Sequence, residues 1–90
     1  MADVVITFKI MPEDVDVDLK RVEKEVEVLL NKYSKVGKIE TEEVAFGLKC
    51  IKFIVIYDEN KGDTEFLEDN IRNVEGVNSV EVTDVRRAIG

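Results

Sequence analysis

Two arginines in succession, Arg86 and Arg87, stand near the end of a chain whose formal net charge is −7. On pattern alone such a pair on a free tail is either a solubilising end or a site. Phe46 lies between Ala45 and Gly47, at a corner where a large aromatic either plugs the core or stays outside as an anchor for another protein. Asp14, Asp16 and Asp18 alternate with other residues, as the first ligands of a calcium loop do. Such a loop needs a glycine for its sharp turn, and none stands at that position. The acidic run therefore reads as a helix start, with Asp16 as N-cap and Asp18 in the electropositive first turn. Cys50 is the single cysteine, so it forms no internal disulfide, and no ligand residues surround it at metal-binding spacing. It reads as a buried, inert thiol.

The usual signatures of covalent chemistry are missing. There is no histidine, and no G-x-S-x-G, P-loop, C-x-x-C or H-E-x-x-H. No catalytic residue, cofactor or resident metal is expected. The acidic balance argues against a general nucleic-acid or membrane-surface binder, whose footprint would be a basic face. It leaves room for a protein partner. No apolar run approaches the length of a membrane span, and the first residues lack the pattern of a secretory signal. With a lone thiol, this predicts a cytoplasmic protein.

The elements that must position these residues are organised around Glu43 to Asp58. From Leu48 to Tyr57 eight of ten positions are apolar, interrupted by Lys49 and Lys52, with Ile51, Phe53, Ile54, Val55, Ile56 and Tyr57 in the second half. A short run of that composition, bounded by Gly47 and by Asp58-Glu59-Asn60, is a central strand. Both parities are apolar, so both faces should be at least partly covered. Phe46-Gly47 forms the corner leading into it.

Before it, Val4 to Met11 reads as a strand with Val4, Ile6, Phe8 and Ile10 on one face and Val5, Thr7 and Lys9 on the other. Pro12 ends it. Leu19, Val22, Val26, Leu29, Leu30 and Tyr33 make the apolar stripe of a helix from about Val17 to Tyr33, closed by Lys35 and Gly37. Lys38 to Ala45 is a polar edge strand, its charges discouraging unwanted strand addition. Asp63 or Thr64 caps a second helix that buries Phe66 or Leu67, Ile71 and Val74, and Asn73 to Gly76 ends it. Val77 to Val85 is the last strand, leaving Arg86-Arg87-Ala88-Ile89-Gly90 as a tail.

Ninety residues suit one domain spanning 1–90. The order strand, helix, strand, strand, helix, strand predicts an α+β, ferredoxin-like βαββαβ sandwich, with four antiparallel strands and both helices on one face. The first and third strands should be central. Acylphosphatases share that topology but need an arginine-bearing phosphate loop after the first strand, where this chain has Pro12 followed by acids. An RNA-recognition module needs aromatics on the open face of the central strands. Phe8 and Phe53 are the candidates, without the surrounding RNP pattern. A metal-trafficking domain would carry two cysteines in its first loop.

Three stretches carry a family resemblance: Asp3-Val4-Val5 with Lys9-Ile10-Met11-Pro12, Ala45-Phe46-Gly47-Leu48, and Val80 to Arg87 (VEVTDVRR). Over essentially its full length the chain resembles the archaeal elongation factor 1-beta family, guanine-nucleotide exchange factors for elongation factor 1-alpha. It also resembles the C-terminal catalytic domain of the eukaryotic beta subunit. The resemblance implies the ferredoxin-like fold, a GDP-bound GTPase as partner, and GDP release by disturbing its switch region and magnesium site. It implies partner contacts at Phe46 and Gly47, and at Arg86 and Arg87. In eukaryotic relatives a lysine near the C-terminus reaches toward the magnesium, and its place aligns with Arg87. Arginine presents a planar fork where lysine presents a compact ammonium. The competing expectation, from fold alone, is a ferredoxin-like regulatory module that binds a small ligand or self-associates through its open sheet face.

Overall fold

The computed structural model describes residues 3–87 of the protein. Its strands are β1 (Asp3–Pro12), β2 (Lys35–Ala45), β3 (Leu48–Asp58) and β4 (Val77–Arg87). Its helices are α1 (Leu19–Tyr33) and α2 (Glu65–Arg72), with a 3-10 turn at Glu59–Lys61. The sheet order is β2-β3-β1-β4, and every neighbouring pair is antiparallel. β1 and β3 are the central strands, as their apolar content predicts.

Parity explains the core. Val4, Ile6, Phe8 and Ile10 of β1 stand opposite Tyr57, Val55, Phe53 and Ile51 of β3, and all eight are buried. Val22, Val26 and Leu30 of α1 and Leu67 and Ile71 of α2 join that cluster, so both helices lie on this face. Phe8 and Phe53 are inaccessible beneath them, which removes both as a stacking platform for RNA. The opposite face carries Val5, Thr7, Lys9, Lys52, Ile54 and Ile56, with Ile56 exposed. Partial cover over both faces of β3 was expected: the helices cover one, and on the other Lys52 and Ile54 are half-buried. Cys50 is nevertheless buried, on the open face opposite Glu42.

Several boundaries differ from the sequence reading. Helix α1 begins at Leu19 with Asp18, not Asp16, as N-cap; the Arg21 backbone N–H donates to the Asp18 carboxylate at 3.3 Å. Asp14 supplies the reason, since its carboxylate accepts the Asp16 N–H at 2.7 Å and holds the preceding residues in a turn. At the other end Ser34, not Lys35 or Gly37, closes the helix: its N–H and hydroxyl both donate to the Leu30 carbonyl at 2.8 Å. Ser34 is already extended (φ −148°), so the chain enters β2 directly. Tyr33 leaves the predicted stripe and packs edge-on against Phe66, centroids 5.1 Å apart, both part exposed. Leu67 takes the buried position instead.

Two loops meet at Gly76. The Glu13 N–H donates to its carbonyl at 2.9 Å, and Arg21 Nη2 donates to the neighbouring Glu75 carbonyl at 2.8 Å. Gly76 has φ +95°, and a Cβ there would lie 2.8 Å from Val17 Cγ1. Left-handed backbone and a clash oppose any side chain at this position. Gly76→Ala is expected to destabilise by about 2 kcal/mol or more, read as a lower urea midpoint; an unchanged midpoint would contradict the packing described.

Tyr57 is 1 % exposed, and its hydroxyl has no hydrogen-bond partner among the described residues. Burial, reinforced by Asp63 and Asp58, pushes its phenol above the ordinary value. The folded state therefore disfavours the phenolate, and stability falls as pH rises beyond about 10. Tyr57→Phe should stabilise by up to about 1 kcal/mol and flatten that alkaline loss. A variant less stable than the parent at neutral pH would show that the hydroxyl is satisfied.

Candidate functional site

The β2–β3 hairpin turns through Phe46 and Gly47, with Ala45 paired to Leu48. Gly47 takes φ +72°, which glycine reaches without a Cβ penalty. Sequence pattern left Phe46 open between core plug and surface anchor. At 103 % relative exposure it is fully outside. Val44 of the same hairpin is exposed too, and Glu43, Val44, Ala45 and Phe46 line an open hollow of about 430 Å³. Val15, 59 % exposed, comes from the β1–α1 loop, with its Cγ1 3.7 Å from where a Gly47 side chain would begin. Sequence reasoning passed over Val15; the available signal was an apolar residue inside an acidic loop that serves no helical stripe.

Arg86 and Arg87 are not on a free tail. They are the last residues of β4, in register with Val5 and Val4 of β1. Ala88, Ile89 and Gly90 lie outside the described residues. Successive strand residues point to opposite faces, so Arg86 projects on the open face with Val5, and Arg87 on the helix face with Val4. The pleat thus starts the two guanidiniums toward opposite faces. Arg86 Nε lies 2.9 Å from Asp84 Oδ2, and Arg87 Nη2 lies 3.7 Å from Glu59 Oε1 on the 3-10 turn. Both side chains are about three-quarters exposed, so these pairs cost little to exchange for another partner.

Phe46 and the arginines occupy diagonal corners of the sheet, the first in the β2–β3 turn and the others on the edge strand β4, at opposite ends. The ten-residue rise of β3 spans roughly 33 Å, within a molecule whose longest extent is 42 Å. Between the corners, the open face is balanced in charge. Lys52 Nζ donates to Glu42 Oε2 at 2.9 Å. That hydrogen bond holds the Glu42 carboxyl below its ordinary value and raises the Lys52 ammonium above its own. Lys9 faces Lys52 on one side and Glu81 on the other. Such a surface is no phosphate platform. Among the described residues no cluster of three or more metal-ligating side chains occurs, and no helix is long and apolar enough to cross a membrane.

The structure is a ferredoxin-like sandwich with an exposed apolar knob at one corner and exposed cations at the far one. Residues 5–88 match the family described as the EF-1 guanine nucleotide exchange domain. Elongation factor 1-beta of Methanothermobacter thermautotrophicus is 42 % identical over 87 residues, covering 97 % of this chain and 98 % of that one. The protein of the same name from Methanococcoides burtonii is 40 % identical over 89 residues, covering 99 % and 100 %. Among solved structures, the ACT domain from GTP pyrophosphokinase of Chlorobium tepidum is similar, with a TM-score of 0.64 at 18 % identity over 89 % of this chain and 97 % of that one. That likeness concerns the fold alone. The chain belongs to the EF-1 guanine nucleotide exchange domain family.

Because Phe46 is solvated, Phe46→Ala should shift the urea midpoint by no more than about 0.5 kcal/mol of stability. A core plug truncated to alanine would instead lose about 3–5 kcal/mol, and a loss of that size would overturn the exposed placement.

Proposed function

We propose that residues 1–90 form one exchange domain that docks on GDP-bound elongation factor 1-alpha in the cytoplasm and promotes GDP release without covalent chemistry. The observation that carries this reading is the family match over residues 5–88, together with a fully exposed aromatic at the hairpin before the central strand. A solvated phenylalanine gains from burial only when a partner covers it. Phe46, seated on the Gly47 turn, is the docking anchor.

Arg87 is the cation that acts on the nucleotide site of the GTPase. A GTPase holds GDP partly through magnesium and the β-phosphate, and a guanidinium entering there competes with the metal for the phosphate oxygens. Arg87 suits this better than Arg86 because its Glu59 contact is the longer of the two ion pairs. Arg86, on the opposite face, contacts the partner beside that site. The roughly 33 Å between knob and cation requires a partner that offers two separated surfaces at once.

Release of a fluorescent GDP analogue from elongation factor 1-alpha tests the reading directly: the protein should accelerate it, and an unchanged rate would refute the assignment. Phe46→Ala should weaken binding by about 2 kcal/mol, roughly thirtyfold, with the fold intact. Arg87→Ala should slow release about tenfold at saturating protein and magnesium, the loss of one charge-assisted hydrogen bond, without lowering Tm. The Arg87 effect should shrink once magnesium is chelated, since no metal then remains to be displaced. Wild-type release by Arg87→Ala in saturating magnesium would leave deformation of the switch region as the whole mechanism.

A further inference from the structure

The knob at the hairpin corner has a mainly acidic rim. Residues 13–18 bring Glu13, Asp14, Asp16 and Asp18 beside Val15, with no cation among them. The hairpin adds Glu42 and Glu43, against Lys49, which stands across the strand pair from Glu43, and Lys20 of α1, which lies beside Thr41 of β2. Two of these acids are engaged inside the fold, Asp14 with the Asp16 N–H and Asp18 with the Arg21 N–H, and Glu42 is paired with Lys52. Glu13, Asp16 and Glu43 are exposed and have no ion pair among the described residues. The loop that carries two of them is anchored at both ends of its turn, by the Glu13 N–H to the Gly76 carbonyl at 2.9 Å and by the Asp14 contact. Exposed Phe46, Val15 and Val44 are thus presented beside a largely acidic collar. Apolar groups at an interface centre supply affinity, while charges at the rim set approach and orientation.

We infer that this corner fits an apolar socket rimmed by lysine or arginine on the GTPase, with Phe46, Val15 and Val44 entering the socket and Glu13, Asp16 and Glu43 facing the basic rim. The inference rests on the docking reading above and adds to it the chemistry of the partner surface. A second copy of this chain is a poor occupant, because two such collars would repel.

The test is the association and dissociation of the full-length protein with GDP-bound elongation factor 1-alpha, at about 0.05 M and about 0.5 M salt, either side of the concentration where screening reaches roughly 10 Å. Asp16→Asn/Glu43→Gln should associate about threefold more slowly or worse at low salt, with that difference lost at high salt and dissociation little changed. Val15→Ser should act the other way, raising dissociation at both salts. Glu27→Gln/Glu65→Gln on the two helices makes the same change in net charge away from the corner, and should associate within about 1.5-fold of wild type. If the collar variant associated at the wild-type rate at low salt, or the helix control slowed as much, the basic-rim inference would fail while docking stood. If the wild-type protein did not bind at all, the docking reading would fail and carry this inference with it.

Discussion

The structure depends on the pairing of β1 with β3. Eight residue pairs run in register from Asp3 opposite Asp58 to Ile10 opposite Ile51, with Phe8 against Phe53 at the middle. Their helix-side members are buried and their open-side members are not, so a slip of one residue would turn either Ile6 and Phe8 or Phe53 and Val55 out to solvent. At about 1.5–3 kcal/mol for each large apolar side chain, that alternative is closed. The register is fixed, and everything attached to the sheet is fixed with it.

From this one constraint the placement of the two proposed docking corners follows. The hairpin between β2 and β3 must emerge beyond Leu48, and β4 must run back along β1 to bring Arg87 opposite Val4. Knob and cation are held far apart by continuous hydrogen-bonded strands, which neither stretch nor bend easily. A rigid spacer of this kind suits an exchange factor. Binding energy gathered at one corner can be applied to the partner's nucleotide site at the other, provided the sheet between them does not yield. The same pleat sends Arg86 and Arg87 to opposite faces, so adjacency in sequence becomes separation in space. On the open face Lys52 pairs with Glu42 and Arg86 with Asp84, while Glu13, Asp16 and Glu43 at the hairpin corner have no ion pair among the described residues.

Much of this was legible in the residues. Alternation in Val4 to Met11 and the apolar run of Leu48 to Tyr57 identified the central strands, and the order of elements yielded the ferredoxin-like sandwich. Helix ends were less legible, because they are decided by single hydrogen bonds. Asp14, Asp16 and Asp18 are equally good caps by type; the turn that Asp14 makes with Asp16 selects Asp18. Ser34 ended α1 without glycine because the next residue was already in a strand. The strand reach of Arg86 and Arg87 was hidden for a different reason: their charge reads as a solvated tail, yet an edge strand tolerates exposed side chains on both faces. Phe46 could not be decided by pattern at all. An aromatic beside glycine satisfies both a plugged and an open corner, and only the course of the chain at Val15 and Gly47 distinguishes them.

The central claim is that both corners engage one GTPase while the sheet between them stays as it is. Backbone amide NMR of the labelled protein, titrated with unlabelled GDP-bound elongation factor 1-alpha, measures this most directly. The account predicts large perturbations at Val15 and Val44 to Gly47, and again at Val85 to Arg87, with the core amides of Phe8 and Phe53 nearly silent. Perturbations confined to one corner, or spread across Thr7, Lys9, Lys52 and Ile54 on the open face, would contradict it.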